Sequence, residues 1–166
     1  MGRAYLFGIG LPVLQRTYLF WIFGWVMEKG TMVRVAEAFF AACEAGKGWA
    51  ACAEYCTPDA KFRAQAEPLA GITTLEGYTN WMQGAMQIFP DGRYELMAWA
   101  VDEARQKVVA AAVFKATHTG EGGPVAPTGK SMATDYVYVM EFAGPKIVGM
   151  TKVWNAGLAM KALGWA

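Results

Sequence analysis

The sequence predicts an α+β fold: a strongly curved antiparallel sheet wrapped around N-terminal helices as a cone-shaped α+β barrel, with a short C-terminal helix. Three observations carry this. Beyond residue 30, apolar residues first recur at helical spacing. Four long β-rich runs then follow one another, with turn residues between them, as in an antiparallel meander. A last helical segment, AGLAMKALG, comes after the fourth run.

Taken in order, Met32 to Ala45 (MVRVAEAFFAACEA) puts Val35, Phe39, Ala42 and Cys43 on one helical stripe, and Gly46 and Gly48 stop it. WAACAEYC reads as a second, short helix ending at Thr57-Pro58, because proline disfavours helical backbone in the residue before it. KFRAQAE is a short strand, closed by Pro68 and Gly71. Thr74, with Glu76-Gly77, opens a third helix, LEGYTNWMQGAMQIF, whose inner face carries Leu75, Tyr78, Met82, Ala85, Met86 and Phe89. Pro90-Asp91-Gly92 turns into the first β-run, Tyr94 to Val101, and Asp102 to Arg105 make a hairpin turn. Lys107 to Thr119 and Met132 to Phe142 are the next two strands, joined by a Gly/Pro-rich loop. Ala143-Gly144-Pro145 leads into KIVGMTKVW, and Asn155 caps the last helix. A sheet curled over helices encloses a cavity, which is a small-molecule site by default.

The loop HTGEGGPVAPTGKS ends like a phosphate-binding P-loop, but its spacing rejects that reading. The motif needs a glycine five residues before Gly129, and that position is Pro124. Pro124 and Pro127 also remove two backbone donors that a phosphate cradle would use, and Lys130 opens a strand rather than a helix.

Composition narrows the class. A chain of 166 residues is one domain, long enough to bury roughly two-thirds of its unfolded surface. Lys and Arg number 15 against 14 Asp and Glu, so no charge excess points to nucleic acid. With 55% apolar and only 17% charged residues, apolar surface is left over for a cavity or a homodimer interface. Cys43, Cys52 and Cys56 are an odd set far in sequence from the single histidine, which favours buried reduced thiols, a cytoplasmic setting and no metal site.

Residues 1–30 differ from the rest. Two apolar runs, Ala4 to Leu14 and Tyr18 to Met27, flank Gln15 and Arg16. As a membrane span the segment carries a costly central Arg16 and a bend at Pro12, and as a signal peptide it lacks a small-residue cleavage site. Translation beginning at Met27 or Met32 is the favoured reading, with a membrane anchor as the alternative. The domain proper is expected at 31–166.

Several short motifs then occur in a telling order: Tyr55-Cys56-Thr57-Pro58-Asp59-Ala60, Gly71 with Tyr78, His118-Thr119-Gly120, Pro127-Thr128-Gly129-Lys130, Lys146-Ile147-Val148, Trp154-Asn155 and Leu163-Gly164. In this the chain resembles, over about residues 32–164, the SnoaL-like polyketide cyclases of the nuclear transport factor 2-like superfamily. The resemblance implies cofactor-free and metal-free acid/base chemistry of cyclase or isomerase type on a hydrophobic carbonyl compound held in the cone. It also makes PTGK a strand-to-strand loop.

Carried over residue by residue, the catalytic set is only partly matched. His118 matches the family histidine at its strand end. Counting without gaps from Lys130 to Lys146, the family's aspartate falls on Tyr138. Asp135, three residues earlier, belongs to the opposite sheet face with Val137, Val139 and Glu141, and enters the cavity only through a bulge near Ala133. Lys152 is a further candidate, a cavity base if the interior desolvates it. The expected catalytic candidates are therefore His118, Asp135, Tyr138 and Lys152. Tyr78, Trp81, Met82, Trp99, Tyr136, Met150 and Trp154 are the expected substrate wall. The rival is a non-catalytic ligand-binding or dimerisation module of the same fold. Epoxide hydrolysis would need an Asp–Arg–Asp set inside the cavity, and Arg93 and Arg105 lie at turns.

Overall fold

The computed structural model describes residues 30–166; the apolar extension, apart from Gly30, and any membrane anchor in it lie outside the described residues. Helix α1 runs through residues 30–44. Its buried residues include Met32, Ala36, Phe39, Phe40, Ala42 and Cys43, and Val35 packs half-buried against them. One more residue is buried with them, Glu44, placed four after Phe40 and eight after Ala36 and only 2% exposed.

Helix α2 is a single turn, Trp49–Cys52, and a 3₁₀ turn follows at Ala53–Tyr55. The chain then extends as β1, Cys56–Ala64, so Cys56, Thr57 and Pro58 are strand and not the helix end the sequence predicts. The physical reason is position. β1 lies at one edge of the sheet, and the register between Cys56 and Lys61 is broken around Pro58, so the missing N–H interrupts no ladder. All three cysteines are free and buried.

A 3₁₀ turn at Glu67–Leu69 leads to α3, Leu75–Ile88, where Thr74 accepts from the Gly77 N–H at 3.1 Å. Then come β2 (Arg93–Asp102), β3 (Lys107–Thr117), β4 (Ser131–Ala143), β5 (Lys146–Trp154) and α4 (Ala156–Leu163), with Asn155 capping α4. The sheet order is β1-β5-β4-β3-β2. The β2–β5 meander is antiparallel, as the run of turns predicts, while β1 joins β5 in parallel and makes the sheet mixed. This open sheet with helices on one face is the α+β cone.

Alternation places the side chains. Along β4, Met132, Thr134, Tyr136, Tyr138, Met140 and Phe142 are buried. Along β3 the inward positions are mostly small, Ala110, Ala112 and Ala116, which leaves room for the aromatic rings of α1 and β4. Phe40 meets Tyr138 edge-on at 5.5 Å, and Tyr78 of α3 stacks on Phe62 of β1 at 4.2 Å. Each such ring contributes about 1.5–3 kcal/mol on burial. No described helix is long and apolar enough to cross a membrane.

Candidate active site

Between the inner face of the sheet and helices α3 and α4 lies a cavity of about 870 Å³. Its walls include aromatic and thioether side chains: Trp81 and Met82 from α3, Tyr136 from β4, Trp154 from β5, and Trp165 after α4. Glu44, Thr134 and Lys152 are the buried polar side chains, besides the Tyr136 phenol, that reach it.

Glu44 and Lys152 are the two ends of one hydrogen-bonded chain. The Glu44 carboxylate accepts from the Tyr136 hydroxyl at 2.6 Å and from the Tyr138 hydroxyl. Tyr138 is bonded hydroxyl to hydroxyl with Tyr78, and the Lys152 ammonium donates to Tyr78 at 2.8 Å. The Nζ of Lys152 also lies over four rings, from 4.8 Å at Tyr136 and 5.0 Å at Trp154 to 5.3 Å at Tyr78 and 5.5 Å at Tyr138. A cation is attracted to such faces when water is excluded.

Burial acts on both ends. It raises the proton affinity of Glu44 above the ordinary 4.5, against the opposing pull of Lys152 and the two phenols. It lowers that of Lys152 below the ordinary 10.5, against the attraction of Glu44. The two shifts run in opposite directions, and each is opposed by the charge at the other end of the chain. Burial also drives the Tyr78, Tyr136 and Tyr138 phenols upward, so they stay protonated and act as relays and donors.

The structure therefore brings Tyr78, Tyr136, Tyr138 and Lys152 into one network, with Trp81, Met82 and Trp154 on the same cavity wall. Other expected site residues are placed elsewhere. Asp135 is exposed on the outer face, because the β3–β4 register runs unbroken through Lys115–Ala133, Phe114–Thr134 and Val113–Asp135, and the bulge it would need is absent. Met150 is buried in the core and Trp99 packs on Phe40 at 5.5 Å, both outside the cavity lining. Glu44 is the residue that the sequence reading missed.

His118 sits one side chain behind the cavity. It extends the β3–β4 ladder by one pair, since its N–H donates to the Lys130 carbonyl and its own carbonyl accepts from Gly129, both at 2.9 Å. That turns its ring inward, and it is fully buried. Phe89 and Trp165 pack against the ring and themselves line the cavity. His118 Nδ1 accepts from the Trp165 indole N–H at 3.0 Å and from the Thr128 N–H at 3.3 Å, which places the ring proton on Nε2. Thr128 in turn donates to the Leu163 carbonyl at 2.9 Å. The PTGK loop is thus a clasp between β4, His118 and the end of α4. Gly123 leaves room for the ring, since a Cβ there would lie 2.9 Å from Nε2. Trp165→Phe keeps the stack on Phe89 but deletes the donor to His118, and should cost about 1 kcal/mol in urea unfolding.

Among the described residues, no group of three or more His, Cys, Asp or Glu is placed to hold a metal ion.

An open mixed sheet over helices, with a cavity between them, is an α+β cone of the nuclear transport factor 2-like fold. Residues 32–163 match the SnoaL-like polyketide cyclase family, and the chain belongs to it. Solved structures with this fold include a candidate SnoaL-like polyketide cyclase from Jannaschia sp. CCS1, at TM-score 0.69 and 16% identity over 82% of this chain and 94% of that one. AclR from Streptomyces galilaeus, a candidate hydroxylase, aligns at TM-score 0.67 and 21% identity over 81% of this chain and 82% of its own. IdmH from Streptomyces antibioticus, a candidate polyketide cyclase, aligns at 0.66 and 19% over 80% and 97%. At these identities the likeness is one of fold. No curated protein matches the chain.

Proposed function

We propose that this protein catalyses cofactor-free acid/base chemistry, of cyclase or isomerase type, on a hydrophobic carbonyl compound held in the cavity, with Glu44 as the proton acceptor. The observation that carries this is the carboxylate itself: buried on the cavity wall, where burial raises its proton affinity against the pull of the two phenols that donate to it. Glu44 takes a proton from the carbon next to the carbonyl. The electron pair moves onto the carbonyl oxygen, where the positive charge of Lys152 opposes the developing negative charge. Collapse returns the pair to carbon, which either takes the proton back at a new position or closes a ring onto a second carbonyl of the same molecule. Tyr138 and Tyr78 carry the balancing proton between the two ends.

The test is deuterium exchange. In D₂O the protein should accelerate loss of the α-protons of a hydrophobic ketone such as 2-tetralone, followed by NMR. Glu44→Gln should slow this by about 100-fold or more. Because burial raises the proton affinity of Glu44, the rate should fall on acidification at a pH above 4.5. An unchanged rate in Glu44→Gln would remove the assignment. Binding without exchange would point to a binding module.

The outer sheet face, with half-buried Val137 and Val139 and exposed Val153, is the surface this reading gives to a second copy in a homodimer. A monomer by sedimentation at micromolar concentration would count against that. Three free, buried thiols fit a reducing cytoplasmic setting for this chemistry.

A further inference from the structure

We propose that Lys152 is a covalent site: its amine condenses with the carbonyl group of a hydrophobic aldehyde or ketone in the cavity to form an iminium ion. This rests on the carbonyl-binding reading above and deepens it, because an iminium would make the neighbouring C–H more acidic than the free carbonyl does.

Geometry supports the step in three ways. Lys152 is 7% exposed and is one of the residues that line the cavity, so it is both close to the space a ligand would fill and largely shielded from water. Its only hydrogen-bond partner among the described residues is Tyr78, and no described carboxylate is bonded to Nζ directly; Glu44 is reached only through the hydroxyls of Tyr78 and Tyr138. The nitrogen is therefore held in place without being locked in an ion pair, which would keep it an ammonium. Finally, the rings of Tyr136, Trp154, Tyr78 and Tyr138 surround a cation at that point. An iminium ion carries the same single positive charge on the same nitrogen, so the aromatic box that suits the ammonium suits the product as well. Burial, which lowers the proton affinity of Lys152, supplies the neutral amine.

The step balances within the network. Lys152 first gives up one proton, passed through Tyr78 and Tyr138 to Glu44. The nitrogen lone pair then bonds to the carbonyl carbon while the C=O π pair moves to oxygen, which takes the second ammonium-derived proton, giving a carbinolamine. Glu44 returns its proton through the same phenols to that hydroxyl, the C–O bond breaks, and the nitrogen lone pair closes the C=N bond. One water leaves, and nothing is oxidised or reduced.

The experiment uses benzoylacetone, a hydrophobic 1,3-diketone whose condensation product with an amine is a conjugated enaminone. Mixed with the protein near neutral pH, it should give a new near-ultraviolet band and a mass gain of one probe less one water. Peptide mapping should place the adduct on Lys152, formed at least about tenfold faster than on the exposed Lys47, Lys61, Lys130 and Lys161. Lys152→Met should lose the band. Mapping on the unsubstituted protein decides the matter even where that variant folds poorly. Modification spread over the exposed lysines, or no adduct, overturns the proposal. Deuterium exchange without an adduct would also overturn it while leaving the acid/base role of Glu44 standing. An adduct on Lys152 without Glu44-dependent exchange would uphold the covalent site and remove the acid/base reading.

Discussion

Glu44→Leu is expected to destabilise the fold by about 3–5 kcal/mol in urea unfolding, because it removes one end of a buried charge network. Lys152 would be left buried with no carboxylate to balance it, and the Tyr136 and Tyr138 hydroxyls would lose their acceptor. Lys152→Met on its own should also cost heavily, since it leaves Glu44 buried opposite neutral phenols. The double variant Glu44→Leu/Lys152→Met should recover most of the loss, because two apolar side chains of similar volume need no partners. Additive costs in this cycle would show that the two ends are not coupled.

The pH dependence has a definite sign. Burial raises the Glu44 proton affinity above 4.5, so from 4.5 up to its folded value the native state binds more protons than the unfolded chain, and this group makes stability fall as pH rises. Burial lowers Lys152, so from its folded value up to 10.5 the unfolded chain binds more protons, and this group makes stability rise with pH. The difference in stability between the natural protein and Glu44→Gln should therefore shrink as pH climbs from 4.5.

Gly120→Ala is the second large effect. The glycine follows the β3 strand end and passes against the last turn of α3, where its N–H donates to the Ile88 carbonyl at 3.0 Å. A Cβ there would overlap the Gln87 carbonyl oxygen outright, and would lie 2.9 Å from the Gln87 carbonyl carbon and 3.1 Å from the Ile88 Cα. All three are backbone atoms, so no side chain can swing aside. The loop must lift from the helix, at a cost of about 3 kcal/mol or more in urea unfolding. Since the neighbouring Glu121 and Gly122 border the cavity, ligand affinity should fall with it. Wild-type stability in Gly120→Ala would mean that the loop does not seat on α3.

The meander was legible because its strands keep a strict two-residue period. On β4 every even position from Met132 to Phe142 is buried, and that same count correctly warned that Asp135 faces outward. Tyr138 and Lys152 could be named for the same reason, each lying in phase with its apolar neighbours. Glu44 was harder. Glutamate is a good helix former and is seldom fully buried, so at the end of an alanine-rich helix it reads as solvent-facing. Its spacing from Phe40 and Ala36, both buried, is the signal that places it on the inner face. The parallel pairing of β1 was out of reach, because no local pattern specifies a partner some ninety residues on, and Pro58 read as a stop. The tie between His118 and Trp165 likewise joins segments that share no sequence pattern.

The tryptophans on the cavity wall make the protein its own optical reporter. Trp81 on α3, Trp154 on β5 and Trp165 just after α4 border the space that a ligand would fill. An occupant that displaces water from these indoles should shift their emission to shorter wavelength and alter its intensity. Binding can then be titrated on the unlabelled protein before any turnover is known, and a fluorescence screen of small molecules can start from the native chain.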